Sequence, residues 1–139
     1  MKGPTPRTRI KPLRVDGIVH LLAELFGENY YIWYRVPGTD IDFIAYTGRR
    51  ELVIVEVKST LNDRVLDRAI AQLDFRRHLG NRVYLAVPSK DIYYALIRVP
   101  NEYGVIGVAK NKATIYRESR YFNPAAAKYI ILSLFSNTT

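Results

Sequence analysis

Cysteine is absent from this sequence, and methionine, tryptophan and glutamine each occur once. The lack of cysteine excludes disulfides, cysteine-ligated zinc and iron–sulfur clusters. The two histidines, His20 and His78, do not have the spacing of a metal motif. Any metal is therefore expected to bind through oxygen, as Mg²⁺ or Mn²⁺ does. A low content of thermolabile residues is typical of thermophile proteins.

Long hydrophobic runs are also missing, since no apolar stretch reaches the roughly 20 residues that span a bilayer. The apolar segment at 129–135 lies at the wrong end of the chain for a signal peptide. We therefore expect a cytoplasmic protein without a membrane partner. The sequence also lacks a cysteine nucleophile, a G-x-S-x-G motif, a glycine-rich phosphate loop and a histidine next to a nucleophile.

Positive charge is abundant and unevenly distributed, with a net charge of +8 over 139 residues. Residues 15–139 hold 16 cations and 13 anions and so contribute only +3 of it. We predict a flexible basic arm at 1–14 and one domain at 15–139. Such an arm suits the phosphates of a nucleic acid, although a membrane surface or simple solubility are alternatives. The expected nucleic-acid contacts in the arm are Arg7, Arg9, Lys11 and Arg14.

Hydrophobic periodicity predicts ten elements in the order α-β-β-β-α-β-α-β-β-α. The predicted helices cover about 15–26, about 63–78, 91–97 and the segment from Asn123-Pro124 onwards; the predicted strands are 30–36, 41–46, 51–58, 82–87, 104–109 and 113–117. Asn62 lies in a helix-capping signal, and Gly80 is expected to terminate that helix. The order predicts an α/β fold, a mixed sheet flanked by helices, in which strands 51–58 and 82–87 are parallel neighbours.

Charged residues lie near one end of the hairpin predicted for strands 41–46 and 51–58. Pairing across the short turn sets Tyr46 against Leu52, and it sets Asp42 against Glu56 and Asp40 against Lys58. Two facing carboxylates repel each other unless something compensates for their charge. A divalent cation compensates directly, and Lys58 on the same face could then assist a water or stabilise charge on a phosphate. A surface salt bridge between Asp40 and Lys58, worth at most about 1 kcal/mol, is the alternative explanation.

The segment TDIDFIAYTGRRELVIVEVKS (39–59) resembles the core of the PD-(D/E)XK nuclease superfamily. Asp42 corresponds to the first acid, Glu56 to the second and Lys58 to the lysine. Ile41, rather than proline, precedes Asp42, and Asp40 is an alternative for the first acid. AIAQLDFRRHLGNRVYLAVP (69–88) is similar to the following segment of archaeal Holliday-junction resolvases and MmcB-like DNA-repair proteins. GVIGVAKNKATIYRESR (104–120) is similar to the MmcB-like group.

The resemblance implies a restriction-endonuclease-like core of α-β-β-β-α-β order, followed here by a hairpin and a helix. It also implies a Mg²⁺- or Mn²⁺-dependent DNA endonuclease of DNA repair or recombination, in which Asp42 and Glu56 bind the metal and Lys58 assists the attacking water. Gln72 corresponds to a helix glutamine near such sites, and a homodimer is compatible with the family. A catalytically inactive nucleic-acid-binding or assembly module with this fold is the alternative, and an RNA nuclease is a third.

Three further residues have open roles. Glu24 could be a helix acid near the site, or it could lie on a solvated helix face. The second helix ends with Arg76 and Arg77, whose positive charges interact favourably with the helix dipole and need no ligand for this. We nevertheless include Arg76 among the expected contacts to nucleic acid.

Overall fold

The computed structural model describes residues 16–26, 31–34, 40–47 and 49–136. The predicted basic arm lies outside these residues, as do Pro37-Gly38. The helices are α1 (Asp16–Phe26), α2 (Asp63–Arg76), α3 (Ile92–Arg98), which follows a 3₁₀ turn at Ser89–Asp91, and α4 (Ala125–Ser136). The strands are β1 (Tyr31–Tyr34), β2 (Phe43–Tyr46), β3 (Leu52–Val57), β4 (Arg82–Pro88), β5 (Gly104–Val108) and β6 (Ala113–Arg117). None of the helices in these ranges has the length and apolarity that a membrane span requires.

The described strands form one mixed sheet in which the spatial order follows the chain, β1-β2-β3-β4-β5-β6. Strands β3, β4 and β5 are parallel to one another, and the remaining neighbours are antiparallel. The predicted element order and the parallel pairing of β3 with β4 are confirmed. Because α2 connects β3 to β4, the helix packs against the sheet between them.

The register of the β2–β3 hairpin is the predicted one. Tyr46 pairs with Leu52, and Ile44 pairs with Ile54. The strands are shorter than predicted, since β2 begins at Phe43 and β3 ends at Val57. Asp42 and Lys58 therefore lie just outside the strands, where the backbone groups are no longer paired between β2 and β3 and can bind side chains.

Each face of the sheet has its own apolar cluster. One face packs against α1 through alternate residues of the hairpin, such as Val53 and Val55. The opposite face carries Ile54 and Leu85 and is covered by α2, α3 and α4. Glu56 pairs with Leu85 and therefore belongs to the face that α2 covers.

Local signals explain where α2 begins and ends. The side chain of Asn62 accepts a hydrogen bond from the Val65 N–H at 2.9 Å, which satisfies a donor of the first turn. The helix ends at Arg76, and the Gly80 N–H donates to the Arg76 carbonyl at 3.1 Å. A Cβ at Gly80 would lie 2.7 Å from the Cδ1 of Ile54, so glycine permits the close approach of this turn to β3.

Candidate active site

Glu56 is a fully buried carboxylate near the end of β3, with 1% of its surface exposed. The preceding residues of the strand are buried and apolar. A charge in such surroundings requires a partner. Arg76 provides it, because its Nε donates to Oε2 of Glu56 at 2.7 Å. The second carboxylate oxygen of Glu56 has no hydrogen-bond partner among the described residues.

Arg76 is itself buried, with 2% of its surface exposed. Its terminal nitrogen donates to Oδ1 of Asp40 at 2.6 Å, so one guanidinium binds two carboxylates. The salt bridge of Asp40 with Lys58, given above as the alternative explanation, is not formed within the described structure, since Asp40 pairs with Arg76 instead. Two nitrogens of the Arg76 guanidinium are thus occupied by the buried Glu56 and the exposed Asp40, which leaves the predicted contact of Arg76 with a phosphate without support.

Asp42 directly precedes β2, and the paired register ends at Phe43 with Val55, one residue before the predicted pair of Asp42 with Glu56. Asp42 is nevertheless close enough for its charge to act on Glu56. One carboxylate oxygen, Oδ2, accepts the backbone N–H of Val57 at 2.9 Å. This bond links Asp42 to the end of β3, beyond the last residues that pair between β2 and β3. The other oxygen of Asp42 has no partner among the residues described.

The charges around Glu56 act on its pKa in opposite directions. Burial raises the pKa of the Glu56 carboxyl, and the Arg76 guanidinium opposes this shift without reversing it. The nearby negative charge of Asp42 raises the pKa of Glu56 further, whereas Lys58 lowers it. For Asp40, the hydrogen bond from Arg76 is the main reason that its pKa lies below the ordinary value. These couplings indicate that the three acids, Lys58 and Arg76 form one electrostatic cluster.

Lys58 and Gln72 complete the set of predicted site residues. Lys58 is half-buried directly after β3, and its backbone N–H donates to the Ala86 carbonyl at 3.0 Å. Its ammonium group makes no ion pair with any described acid. Gln72 lies one helical turn before Arg76, on the same side of α2. Its side-chain oxygen is buried and has no hydrogen-bond partner in the described part of the chain.

The oxygen atoms around Glu56 are of the chemical kind that a magnesium-type cation binds. Among the described residues there is no group of three or more acid, histidine or cysteine side chains arranged to hold a metal. Mg²⁺ does not require such a cage, because it keeps several waters and is commonly bound by one or two carboxylates plus substrate phosphate. Asp42 and Glu56 each retain an oxygen without a protein partner, and Gln72 supplies a buried oxygen in the same state. These three residues are the ones that could hold the ion.

The remaining predicted residues lie elsewhere. Glu24 is exposed on α1, which agrees with a solvated helix face. Arg77 pairs with Glu102 at 3.2 Å and lies over the ring of Phe122. The arm residues Arg7, Arg9, Lys11 and Arg14 are outside the described structure.

Sequence reasoning missed the interior role of Arg76, although a signal for it was present. The buried residues of α2 are Leu66, Ala69, Leu73 and Arg76. Their spacing of three, four and three continues one helical stripe, so Arg76 lies on the face that points to the sheet. An arginine on that stripe predicts a buried acid opposite it.

Comparison with known proteins identifies a shared fold and no shared function. No protein-family model matches the sequence, and no curated protein is significantly similar to it. The fold resembles that of SPO1766, a protein of unknown function from Silicibacter pomeroyi, with a TM-score of 0.64 and 18% identity over 94% of this chain and 84% of that chain. The structure of Pyrococcus furiosus SfsA in complex with Ca²⁺ aligns over 75% of this chain and 59% of that chain, with a TM-score of 0.37 and 17% identity. That second similarity is too low to support a conclusion, so the functional argument depends on the site residues themselves.

Proposed function

We propose that this protein is a Mg²⁺-dependent endonuclease that hydrolyses phosphodiester bonds in DNA and has a restriction-endonuclease-like core. The observation that supports this best is the facing pair Asp42 and Glu56. Each acid has one oxygen committed to the protein and one oxygen without a described partner. Mn²⁺ would bind through the same oxygens.

Each residue of the cluster has a distinct role in this proposal. Asp42 and Glu56 hold the cation, and Arg76 keeps the Glu56 carboxylate in a single orientation. A bound Mg²⁺ supplies Lewis-acid chemistry, lowering the pKa of a water and neutralising phosphate charge. Lys58 orients or deprotonates the attacking water, or stabilises the negative charge that develops on the phosphate. Gln72 contributes its buried oxygen to the cation or to the water.

The N-terminal arm completes the proposal by binding the DNA backbone. Arg7, Arg9, Lys11 and Arg14 would contact phosphates, and their contribution would fall steeply as salt is raised. As part of the same proposal, the protein acts in the cytoplasm in DNA repair or recombination. A homodimer would allow both strands of a duplex to be cut.

The test is cleavage of DNA by variants that keep the fold. We expect Glu56→Gln and Asp42→Asn to lose Mg²⁺-dependent cleavage by about 100-fold or more, since removing one well-placed electrostatic contact commonly has an effect of this size. Both variants should still bind DNA in EDTA. Asp67→Asn is the matched control. Asp67 lies on the surface of α2, outside the acid cluster, and forms an ion pair with Arg98 of α3 at 2.7 Å. Full activity in Glu56→Gln would contradict the site assignment, and a panel of branched, linear and RNA substrates would identify the class that is cut.

A catalytically inactive nucleic-acid-binding module is the second candidate function. The buried ion pair of Glu56 with Arg76 favours it, because that pair satisfies the acid without a metal. Thermal denaturation separates the two candidates. A nuclease site gains stability from Mg²⁺ or Mn²⁺ by mass action, about 2.7 kcal/mol at 100 times the dissociation constant, and Asp42→Asn should lose that gain. An inactive module would show no stabilisation by either ion while still binding DNA.

A further inference from the structure

A second feature of the molecule is a cleft of about 480 Å³ between α4 and the turn that joins β2 to β3. Its cationic residues are Arg50 and Lys128. No acid is present among the described residues that line it. By contrast, a cleft of about 430 Å³ on the α1 side mixes Glu51 and Glu118 with its arginines. Of these two clefts, only the first has the charge that suits a polyanion.

Arg50 is held in an unusual backbone conformation at the edge of this cleft. Its φ of 61° lies in the left-handed region, which glycine adopts readily and arginine does not. Thr47 supports the turn, since its carbonyl accepts the Arg50 N–H at 2.9 Å. Arg50 is exposed, and its guanidinium forms no ion pair within the described structure. Strained backbone conformations are common at ligand-binding sites, so a strained residue whose side chain makes no ion pair inside the protein is a candidate for binding a ligand.

Two tyrosine rings stand beside these cations. Tyr121 is 50% exposed and Tyr129, on α4, is 70% exposed. The guanidinium of Arg82 lies 5.2 Å from the centre of the Tyr121 ring. Arg82 is itself anchored by Glu51 at 3.1 Å, so the ring has a fixed support on one side. The cleft therefore presents aromatic surface that is already oriented.

We propose that this cleft binds single-stranded nucleic acid. Arg50 and Lys128 contact phosphates, and bases stack on the rings of Tyr121 and Tyr129, as in other surfaces that combine cations with exposed aromatic residues. The cleft is separate from the acid cluster, because its turn lies at the opposite end of β3 from Glu56, and Leu52 and Glu56 alone are about 13 Å apart along the strand. The proposal does not rest on the nuclease function, since binding here requires no metal.

The experiment is fluorescence anisotropy of a labelled 12-nucleotide oligo-dT in EDTA, with the full chain and at two salt concentrations. Tyr129→Ala is expected to weaken binding by about tenfold, the effect of losing one stacked base. Arg50→Gly is expected to weaken it by about threefold or more and to flatten the salt dependence. Glycine suits a φ of 61°, so Arg50→Gly should keep or raise the melting temperature, and loss of fold cannot account for its effect.

Matched controls come from outside the cleft. Tyr93→Ala removes a tyrosine that is 75% exposed on α3, and Lys110→Ala removes an exposed cation near the β5–β6 turn. Both controls are expected to bind like the unaltered chain. The proposal is overturned if oligo-dT does not bind, if the cleft variants bind as well as the unaltered chain, or if Lys110→Ala weakens binding as much as Arg50→Gly.

Discussion

Replacing Arg76 by methionine is the sharpest test of the buried ion pair, because it removes the charge and leaves Glu56 inside the fold without its partner. The two side chains are 3% and 1% exposed, so water cannot replace the lost contact. Removing one partner of a buried pair costs about 3–5 kcal/mol. A domain of this kind has a free energy of unfolding of about 5–15 kcal/mol, so Arg76→Met should remove a large share of it.

The loss of stability in Arg76→Met should also depend on pH in a defined direction. Burial already raises the folded-state pKa of Glu56, and loss of Arg76 raises it further. A raised folded-state pKa means that protonated Glu56 favours the fold. Its contribution is fully present below the unfolded-state pKa of about 4.3, and it is lost as pH rises through the folded-state value. The deficit of Arg76→Met should therefore be largest near neutral pH and should shrink towards pH 4.

The assay is urea denaturation in EDTA at several pH values, with circular dichroism as the signal. Glu56→Gln is a milder comparison, because Arg76 keeps its bond to Asp40. The double variant Arg76→Met with Glu56→Met should recover much of the loss, since replacing both partners by apolar residues is often close to neutral. A deficit under about 1 kcal/mol at pH 7, or one that does not shrink in acid, would refute the reasoning.

Two further predictions concern the stability of the helix and the strands around the site. Asn62→Ala should lower the free energy of unfolding by about 1 kcal/mol in urea denaturation, because the cap of α2 is lost, whereas Asn62→Asp should retain it. Gly104→Ala should be strongly destabilising, by about 1–3 kcal/mol, since a Cβ would lie 2.2 Å from the buried ring of Tyr84. Gly107→Ala should have a smaller effect in the same assay, since its nearest contact is the half-exposed ring of Tyr116; equal losses at the two glycines would contradict this explanation.

The hairpin was predictable because its sequence restricts it strongly. Both strands are buried on both faces, so the alternation of their side chains does not by itself set the register, and the restriction comes from the turn. The short turn after Tyr46 then allows one register, and that register brings Asp42 to Glu56. The helix cap at Asn62 was predictable for a similar reason, since it depends on residues within one turn.

The partner of Glu56 was harder to predict because it depends on how α2 lies across the sheet. Arg76 is 20 residues away from Glu56 and 36 from Asp40, and its long side chain reaches both. The alternation of side chains along the predicted strands indicated Lys58 as the salt-bridge partner of Asp40. Helical spacing indicates that Arg76 is buried, but it does not indicate which acid the guanidinium meets.

The charges of the completed cluster bear on the proposed function. With all groups ionised, three carboxylates and two cations, Lys58 and Arg76, sum to −1, so the cluster by itself repels a phosphodiester. A divalent cation would change that sum to +1. The buried ion pair does not exclude a metal, because Arg76 binds one oxygen of Glu56 and the other oxygen has no partner in the described structure. On this reasoning, DNA should approach the acids closely only after the cation has bound, and metal-free binding should come from the arm and the cleft.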